Sequence, residues 1–409
     1  MKRIHTILIL LAAIAFSNCS TTSESDNKQM GLEALQSPAG ENASLPYLVT
    51  GEDGKLYFSW VEKKDSGWVE LKYSILEGDS WTDPELIAKG NDWFVNWADY
   101  PMIAVDKDGN MIAHYLAKSS AGTYSYDVNV VYKPQGEVWS NPVIPHKDGT
   151  PTEHGFVTML PQNDGTFRLA WLDGRNTGGG EHGSEGGHGS GGAMTIRTAV
   201  LDMNGELSEE AELDDRVCDC CQTGGIMTAN GAMIAYRDRS EEEIRDISFV
   251  KFTNSKWSDP QTINDDNWNI PGCPVNGPRM TSLGNIVATA WFTAAEGQAK
   301  VKIAFSNSES FGESIIVDET SPLGRVDVIL LDEQTAIVSW LDNEGTPAIK
   351  YRTIKSDGTM TEPVIVSETS ESRGSGFPQM TILDGRVFFA WTSYQEGKES
   401  EVLMSGLPL

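Results

Sequence analysis

Basic residues are scarce in this chain. It carries 31 Lys and Arg against 59 Asp and Glu in 409 residues, a formal net charge of −28. A field of that sign opposes nucleic acid and anionic lipid surfaces and favours solubility. We therefore expect no nucleic-acid partner. The balance also counts against a surface tuned for anionic substrates, unless arginines cluster locally.

Cysteine is rare as well, with five residues in the whole chain. The first of them ends the stretch MKRIHTILILLAAIAFSNC, which has a basic start, an apolar segment too short for a comfortable transmembrane helix, and small residues before Cys19. This stretch resembles a bacterial lipoprotein signal peptide, covering residues 1–19. It implies lipidation of Cys19 and anchoring in the outer membrane, on the periplasmic or the surface leaflet. An ordinary secretory signal is the alternative, and either one exports the chain.

A polar tether and a repetitive domain follow. Residues 20–29, STTSESDNKQ, have nothing to bury and predict a flexible tether. From about residue 40 onward one unit recurs seven times: an apolar run, a tight turn and a second apolar run that ends on an aromatic residue. These aromatic residues are Trp60, Tyr115, Trp171, Tyr236, Trp291, Trp340 and Trp391. A period of about 50 residues indicates a β-propeller.

Two further strands follow most of the hairpins. We therefore predict an all-β chain in which residues 30–409 form one propeller of four-stranded antiparallel blades, and we expect it to be a monomer in solution. Seven repeats are counted, and six blades is the alternative because the last repeat, ending in EVLMSGLPL, has only three strands. We expect residues 31–36 to supply its missing outer strand, which closes the ring and leaves no large exposed sheet edge.

The turns between third and fourth strands carry a degenerate motif. EGDSWTDP, PQGEVWSNP and TNSKWSDP resemble the Asp-box (BNR repeat) of the sialidase superfamily, Ser-x-Asp-x-Gly-x-Thr-Trp. The resemblance covers nearly the whole exported chain as architecture. It implies an exo-alpha-sialidase-like glycoside hydrolase or another glycan-processing propeller. Asp-boxes lie on the face away from the sialidase active site, so they do not themselves indicate catalysis.

Topology indicates where function lies. In a four-stranded meander, the loop entering the first strand and the loop joining the second and third strands lie at the same end. Sialidases grip the substrate carboxylate with three arginines and use an Asp as acid/base. By this resemblance Arg237, Arg325 and Arg373 would be the arginines and Asp99 the acid. Substrate-binding candidates on the same face are Trp97, Asp173, Arg175, Arg239 and Asn276.

The chain departs from the sialidase pattern in two respects. The Arg-Ile-Pro motif is missing, since Ser44 stands before Leu45 and Pro46 where the arginine is expected. No Tyr/Glu pair for the nucleophile is identifiable by spacing. The same arginines and carboxylates also fit salt-bridged loops between blades.

The remaining cysteines all fall on the predicted functional face. They are Cys218, Cys220 and Cys221, at the entrance to blade 4, and Cys273, at the entrance to blade 5. In an exported protein four cysteines predict first two disulfides, and a bond from the cluster to Cys273 would staple neighbouring blades. The alternative is a copper or zinc site completed by His154.

Three hypotheses follow. The first, which we adopt, is a sialidase-like glycosidase at the cell envelope that needs no cofactor and takes a glycan or another small molecule at the propeller mouth. The second is a non-catalytic propeller that binds glycan or protein. The third is a metal-binding envelope protein that uses the cysteine and histidine face.

Overall fold

The computed structural model describes residues 31–178, 192–307 and 310–409. Cys19, and His182 and His188 of the Gly-rich loop, lie outside the described residues. Within them, no helix is both long and apolar enough to cross a bilayer.

Strands dominate the structure. Blades 1 to 3 contain β2 (Ala43–Thr50), β3 (Leu56–Lys63), β4 (Val69–Glu77), β5 (Ser80–Trp81), β6 (Glu85–Gly90), β7 (Ile103–Val105), β8 (Met111–Lys118), β9 (Tyr126–Lys133), β10 (His154–Pro161), β11 (Phe167–Asp173), β12 (Met194–Leu201) and β13 (Leu207–Val217). Blades 4 and 5 contain β14 (Gly224–Thr228), β15 (Gly231–Arg237), β16 (Ile247–Thr253), β17 (Lys256–Trp257), β18 (Gln261–Thr262), β19 (Arg279–Leu283), β20 (Ile286–Thr293), β21 (Lys300–Ser306) and β22 (Ile315–Asp318).

The last two blades contain β23 (Pro322–Asp332), β24 (Thr335–Asp342), β25 (Ala348–Lys355), β26 (Val364–Glu368), β27 (Gln379–Leu383), β28 (Arg386–Ser393) and β29 (Glu401–Pro408). Short 3-10 helices occur at Ala295–Gly297 and Arg373–Ser375. The strands form seven antiparallel sheets, which confirms the seven-bladed propeller. Blade 2 has three regular strands, and its fourth position is a single bridge between Val130 and Val143.

The ring closes on itself. The first strand of each blade contacts the first strand of the next, and β27 returns to β2. The chain's own start, β1 (Glu33–Leu35), pairs with β29 as the outer strand of blade 7, with Glu33 opposite Gly406. The prediction that residues 31–36 complete the last blade is therefore confirmed.

The strand-ending aromatic residues form the cores between blades. Trp60, Trp171, Trp291 and Trp340 are fully buried. An acidic residue two positions further on often satisfies the indole: Trp60 Nε1 donates to Glu62 at 2.8 Å, and Trp171 Nε1 donates to Asp173 at 2.9 Å. Each such ring buries a large apolar area while its polar N–H keeps a partner. The Trp-x-Asp/Glu pattern is therefore a packing signature.

The Asp-box-like turns have a shared structural role. The Ser or Thr after the aromatic residue pairs with the third strand through both its backbone and its hydroxyl. In blade 1, Thr82 N donates to Ile75 O at 2.9 Å while Thr82 Oγ1 accepts from Ile75 N at 3.0 Å. Ser258 makes the same pair with Lys251 in blade 4, at 2.8 and 3.0 Å. These hydroxyls hold the turn where the ladder would otherwise end.

Candidate functional site

The blade entrances meet on one face, where side chains tie them together. Gln222, at the entrance to blade 4, donates through Nε2 to Ala98 O at 2.7 Å and accepts at Oε1 from Gly277 N at 2.9 Å. It thereby links the entrances of blades 2, 4 and 5. The predicted clustering of these loops on one face is therefore observed.

Asp99 and Asn276, two of the predicted site residues, have the same structural role at these entrances. Phe156 and Arg325 have left-handed backbone conformations, with φ of 53° each, which is costly for residues with a Cβ. Asp99 Oδ1 accepts the Phe156 N–H at 2.9 Å, and Asn276 Oδ1 accepts the Arg325 N–H at 2.7 Å. Asp99 and Asn276 both stand two residues before the proline of their own blade. Each thus fixes a bulge in the next blade.

Asp99 has little room for a substrate. Its side chain is buried, and a Cβ added to Gly155 would lie 2.0 Å from Asp99 Oδ2. Burial raises the pKa of the Asp99 carboxyl to about 7, although the Phe156 N–H bond acts in the opposite direction. The cavity beside it has a volume of about 10 Å³, which is close to the minimum for a single water.

The guanidinium of Arg237 is directed at backbone. It is fully buried and donates to Asn276 O at 2.7 and 3.0 Å, Arg245 O at 2.6 Å and Phe292 O at 2.7 Å. It also lies over the Trp268 ring, 4.9 Å from the ring centroid. These contacts bind blade 4 to blade 5. They also engage the planar set of guanidinium N–H groups that would have to bind a substrate carboxylate.

Arg325 and Arg373 meet on Trp97. Their guanidinium carbons lie 4.8 and 6.0 Å from the Trp97 ring centroid. Arg325 is buried and donates to Ser375 Oγ at 2.7 Å and to the Gly376 carbonyl at 2.9 Å, whereas Arg373 is exposed. Burial, followed by the charge of Arg373, lowers the pKa of Arg325 to about 10. Two of the three predicted arginines therefore share one aromatic ring, and Arg237 is tied to backbone at another blade junction.

The other substrate-binding candidates form ion pairs. Arg175 donates to both oxygens of the fully buried Asp173 at 2.7 Å. Arg239 donates to Glu243 at 2.8 Å and lies 3.4 Å from Asp219. Glu243 also pairs with Arg245 at 2.7 Å, so the alternating charges after blade 4's hairpin form a salt-bridged loop.

The three clustered cysteines converge on one point. Their sulfur atoms lie within 4.8 Å of one another, with Cys218 Sγ 3.3 Å from Cys221 Sγ and 4.0 Å from Cys220 Sγ. A disulfide requires about 2.05 Å. Two sulfurs of a tetrahedral metal site with bonds of about 2.3 Å are separated by about 3.8 Å. The observed distances fall on either side of that value.

No disulfide is formed by the cysteines that the structure describes. Within the cluster, Cys218 Sγ and Cys221 Sγ remain 3.3 Å apart, and the predicted staple between the cluster and Cys273 is not observed either. Cys273 is nevertheless close to the cluster. A hydrogen bond with Cys220 lowers the pKa of the Cys273 thiol, and Cys273 itself is exposed.

A buried arginine places a positive charge beside the cysteine cluster. Arg245 Nη1 lies 3.3 Å from Cys218 Sγ, and the arginine side chain is fully buried. Burial opposes ionisation of Cys218, but hydrogen bonds from Cys220 and Cys221 and the charge of Arg245 outweigh it and hold the pKa of the Cys218 thiol well below its usual range. The position of Arg245 therefore favours the thiolate form of Cys218, the form that binds metals.

His154 lies in a different cluster from the cysteines. Among the described residues, its nitrogens are grouped with Asp127 and His146 on one side and with Asp148 and Asp173 on the other. His154 and Asp173 are predicted site residues from the sequence, whereas His146, Asp127 and Asp148 are not. These three follow no recognisable spacing, because the fold brings them together from the third strand of blade 2 and the loop that follows it.

Sequence reasoning also missed the arginine on the propeller axis. Arg279 Nε lies 3.1 Å from Asp327, Nη1 lies 3.3 Å from Tyr100 Oη and Nη2 lies 3.4 Å from Gln379. The ion pair with Asp327 and the contacts with Tyr100 and Gln379 connect the first strand of blade 5 with blades 6, 2 and 7. Arg279 and Gln379 each follow a proline at a blade entrance, a signal that could have identified them.

The comparisons with known proteins concern the fold. No protein-family model matches the chain, and no curated protein matches it. Solved structures do. A protein of unknown function from Dyadobacter fermentans is 12% identical with a TM-score of 0.48, and the match covers 93% of this chain and 99% of that one. The NanB sialidase of Streptococcus pneumoniae is 11% identical with a TM-score of 0.45, over 92% of this chain and 71% of the sialidase.

An alpha-L-arabinanase from Penicillium chrysogenum is 11% identical with a TM-score of 0.49, over 90% and 93% of the two chains. The seven sheets themselves define the chain as a seven-bladed β-propeller, and likenesses at such low identity do not identify its function. Function has to be argued from the site.

Replacing Asp99 with Asn tests its structural role. The native carboxyl titrates near pH 7 and an unfolded one near 3.9, so the native state binds more protons between these values and its stability falls as pH rises. Asn keeps the acceptor for Phe156 N and removes the titration. We expect the free energy of unfolding of the variant, relative to the natural chain, to increase by about 3 kcal/mol between pH 5 and pH 8.

Urea unfolding at the two pH values measures this difference. Both chains carry Glu153→Gln, because the pKa of Glu153, which burial raises to about 8, also depends on the charge of Asp99. A relative stability that does not change with pH would show that Asp99 ionises freely in the folded protein.

Proposed function

We propose that this protein is an exported metal-binding propeller whose cysteine cluster holds a soft or borderline ion, Cu⁺ or Zn²⁺. The observation that carries the proposal is the convergence of the Cys218, Cys220 and Cys221 sulfur atoms at distances suited to a shared ion. Thiolates select such ions, and three of them with an exposed fourth cysteine supply a complete coordination set.

Charge compensation supports the proposal. Three or four thiolates around one ion form an anionic centre, and burying such a centre is costly without a positive partner. Arg245 provides that partner at 3.3 Å from Cys218, and Glu243 fixes the guanidinium from its other side. Arg245 therefore bridges the Glu243 carboxylate and the Cys218 sulfur, and it places a positive charge where an anionic centre would need one.

Cys273 gives the site an exchangeable ligand. The three clustered cysteines are at most partly exposed, whereas Cys273 stands on the exposed loop before blade 5. Gly277, four residues further on, is tied to Gln222 beside the cluster. The loop can therefore bring Cys273 to the ion while the site remains open to an incoming donor or acceptor. This arrangement suits uptake or transfer of the ion.

Copper binding by cysteine variants tests the proposal. The chain from Ser20, purified without reductant, should bind one equivalent of Cu⁺ in competition with a chromogenic Cu⁺ chelator. We expect Cys218→Ser with Cys221→Ser to abolish binding, and Cys273→Ser to weaken it at least tenfold while retaining one equivalent. Asp164→Asn, a surface carboxylate in a turn of blade 3 outside the thiol cluster, is the control and should bind like the natural chain.

Thiol titration of the same sample separates the alternatives. Four thiols that react only after denaturation and metal removal support a metal centre. Four thiols that remain blocked under those conditions, with no bound metal, would mean disulfides and would overturn the proposal.

Glycan binding is the second candidate, favoured by one surface feature. A groove of about 800 Å³ between blades 6 and 7 is lined by Trp391 and Tyr394 and by the carboxylates of Glu368, Glu371 and Glu396. Aromatic rings beside carboxylates suit a neutral sugar, since rings pack on sugar faces and carboxylates accept hydroxyl protons. Sialic acid, which the Asp-box resemblance implies, carries a charge that these carboxylates repel.

A binding comparison tests this second candidate. We expect neutral oligosaccharides, such as arabino-oligosaccharides, to bind the natural chain measurably and sialosides to bind at least tenfold more weakly. Tyr394→Ala should weaken the neutral ligand, whereas Tyr124→Ala, an exposed tyrosine away from the groove, should not. Preferential binding or cleavage of sialosides would overturn the argument for a neutral glycan and restore the sialidase hypothesis.

A further inference from the structure

Two histidines outside the cysteine cluster stack face to face. The rings of His146 and His154 lie 3.7 Å apart between centroids and are inclined by only 4°. His154 begins β10, and His146 lies in the segment that leads from blade 2 to blade 3. Both side chains are buried, with exposures of 4% and 0%. Parallel stacking aligns their nitrogen-bearing edges.

A carboxylate stands at each edge of the stack. On one edge Asp148 Oδ2 lies 3.4 Å from His146 Nδ1 and 3.2 Å from His154 Nε2. On the other edge Asp127 Oδ1 lies 3.9 Å from His146 Nε2 and 3.6 Å from His154 Nδ1. Each carboxylate oxygen therefore faces one nitrogen of both rings.

The edge near Asp127 carries unsatisfied groups. His146 Nε2 and His154 Nδ1 are fully buried and have no hydrogen-bond partner in the structure. Buried polar atoms without a partner are rare and costly, so two of them aimed at one carboxylate need an explanation. An ion bound between the three groups would satisfy all of them.

The opposite edge also has buried atoms without a hydrogen bond, His154 Nε2 and Asp148 Oδ2, but a guanidinium already stands beside it. Arg175 pairs with Asp173 through two bonds of 2.7 Å and lies 3.6 Å from Asp148 Oδ2, while Thr150 N donates to the other Asp148 oxygen at 2.9 Å. A cation there would compete with the guanidinium. Asp148 is instead placed to accept from the far nitrogens of both rings, as carboxylates behind metal-bound histidines do.

We propose that His146 Nε2, His154 Nδ1 and Asp127 Oδ1 bind one divalent first-row transition-metal ion. Bonds of about 2.1 Å place tetrahedral ligands about 3.4 Å apart. The observed 3.6 and 3.9 Å are slightly wider. Because the parallel rings direct their nitrogen lone pairs side by side, binding also requires one imidazole to tilt towards the ion while the partly exposed Asp127 side chain rotates. Imidazole with carboxylate favours Zn²⁺, Fe²⁺ and similar ions over Cu⁺, whereas the thiolate centre also accepts Cu⁺.

The site has open coordination positions. A cleft of about 410 Å³ adjoins it, lined by Asp127, His146, Ser119 and Thr150 among others. Three protein ligands that leave positions for water or substrate are typical of catalytic rather than structural metal ions. The ligand class for the cleft is therefore a small molecule with an oxygen donor that can reach the ion.

Cobalt(II) titration of the full exported chain tests this inference. A sulfur-ligated Co²⁺ shows an intense sulfur-to-metal charge-transfer band, whereas a nitrogen and oxygen site shows only weak d–d bands. We expect one equivalent of the second kind, retained by the Cys218→Ser, Cys221→Ser chain. Asp127→Asn, at a partly exposed position, and His146→Gln should each weaken this equivalent at least tenfold.

Thermal unfolding shows whether the loss is specific. In the Cys218→Ser, Cys221→Ser chain, which leaves only the second site, Co²⁺ at a hundredfold excess over its Kd should raise the Tm by about 3 °C or more, and adding Asp127→Asn should abolish that rise. Asp164→Asn, a surface carboxylate in a turn of blade 3, is the matched control in the same background and should leave the rise unchanged. No binding of the second kind at millimolar Co²⁺, or equal binding by Asp127→Asn and His146→Gln, would overturn the proposal.

Discussion

Side chains that satisfy the backbone of the next blade hold this propeller together on its functional face. Each blade entrance contains turns and bulges whose N–H and C=O groups lack ladder partners, and leaving such groups buried and unpaired is costly. Asp99, Asn276, Gln222, Arg237 and Arg325 meet that need across blade boundaries. The polar residues that most resemble catalytic machinery are therefore also the ones that keep the ring closed.

The cysteine cluster depends on this framework. Cys218 N donates to Arg237 O at 2.9 Å, and Gln222, next to Cys221, connects to blades 2 and 5. The backbone around the thiols is thus fixed from three directions. This framework holds the sulfur atoms of Cys221 and Cys220 at 3.3 and 4.0 Å from that of Cys218, and it holds Arg245 beside them. Preorganised donors of this kind favour binding, because little ordering remains to be done when the ion arrives.

The sequence predicts the fold well and the site poorly, for physical reasons. Strand period, turn residues and the ring-closing segment are local signals, so seven blades and the pairing of Glu33–Leu35 with blade 7 are predicted correctly. The direction in which a side chain points at the propeller mouth depends on the neighbouring blades and is not a local property of the sequence. Arg237 reads as a carboxylate ligand until its four bonds to carbonyls are seen. The stacked pair of His146 and His154 forms only in the folded chain, and no sequence motif predicts it.

X-ray absorption at the metal edge of the purified, metal-loaded chain tests the central claim most directly. In the chain loaded with one equivalent of Cu⁺, which the histidine and carboxylate site disfavours, we expect three or four sulfur neighbours at about 2.3 Å from the ion, and we expect them to be lost when Cys218 and Cys221 are replaced by Ser. A first shell of nitrogen and oxygen alone in the natural chain would contradict it, as would a chain that retains no metal while its four thiols stay reduced.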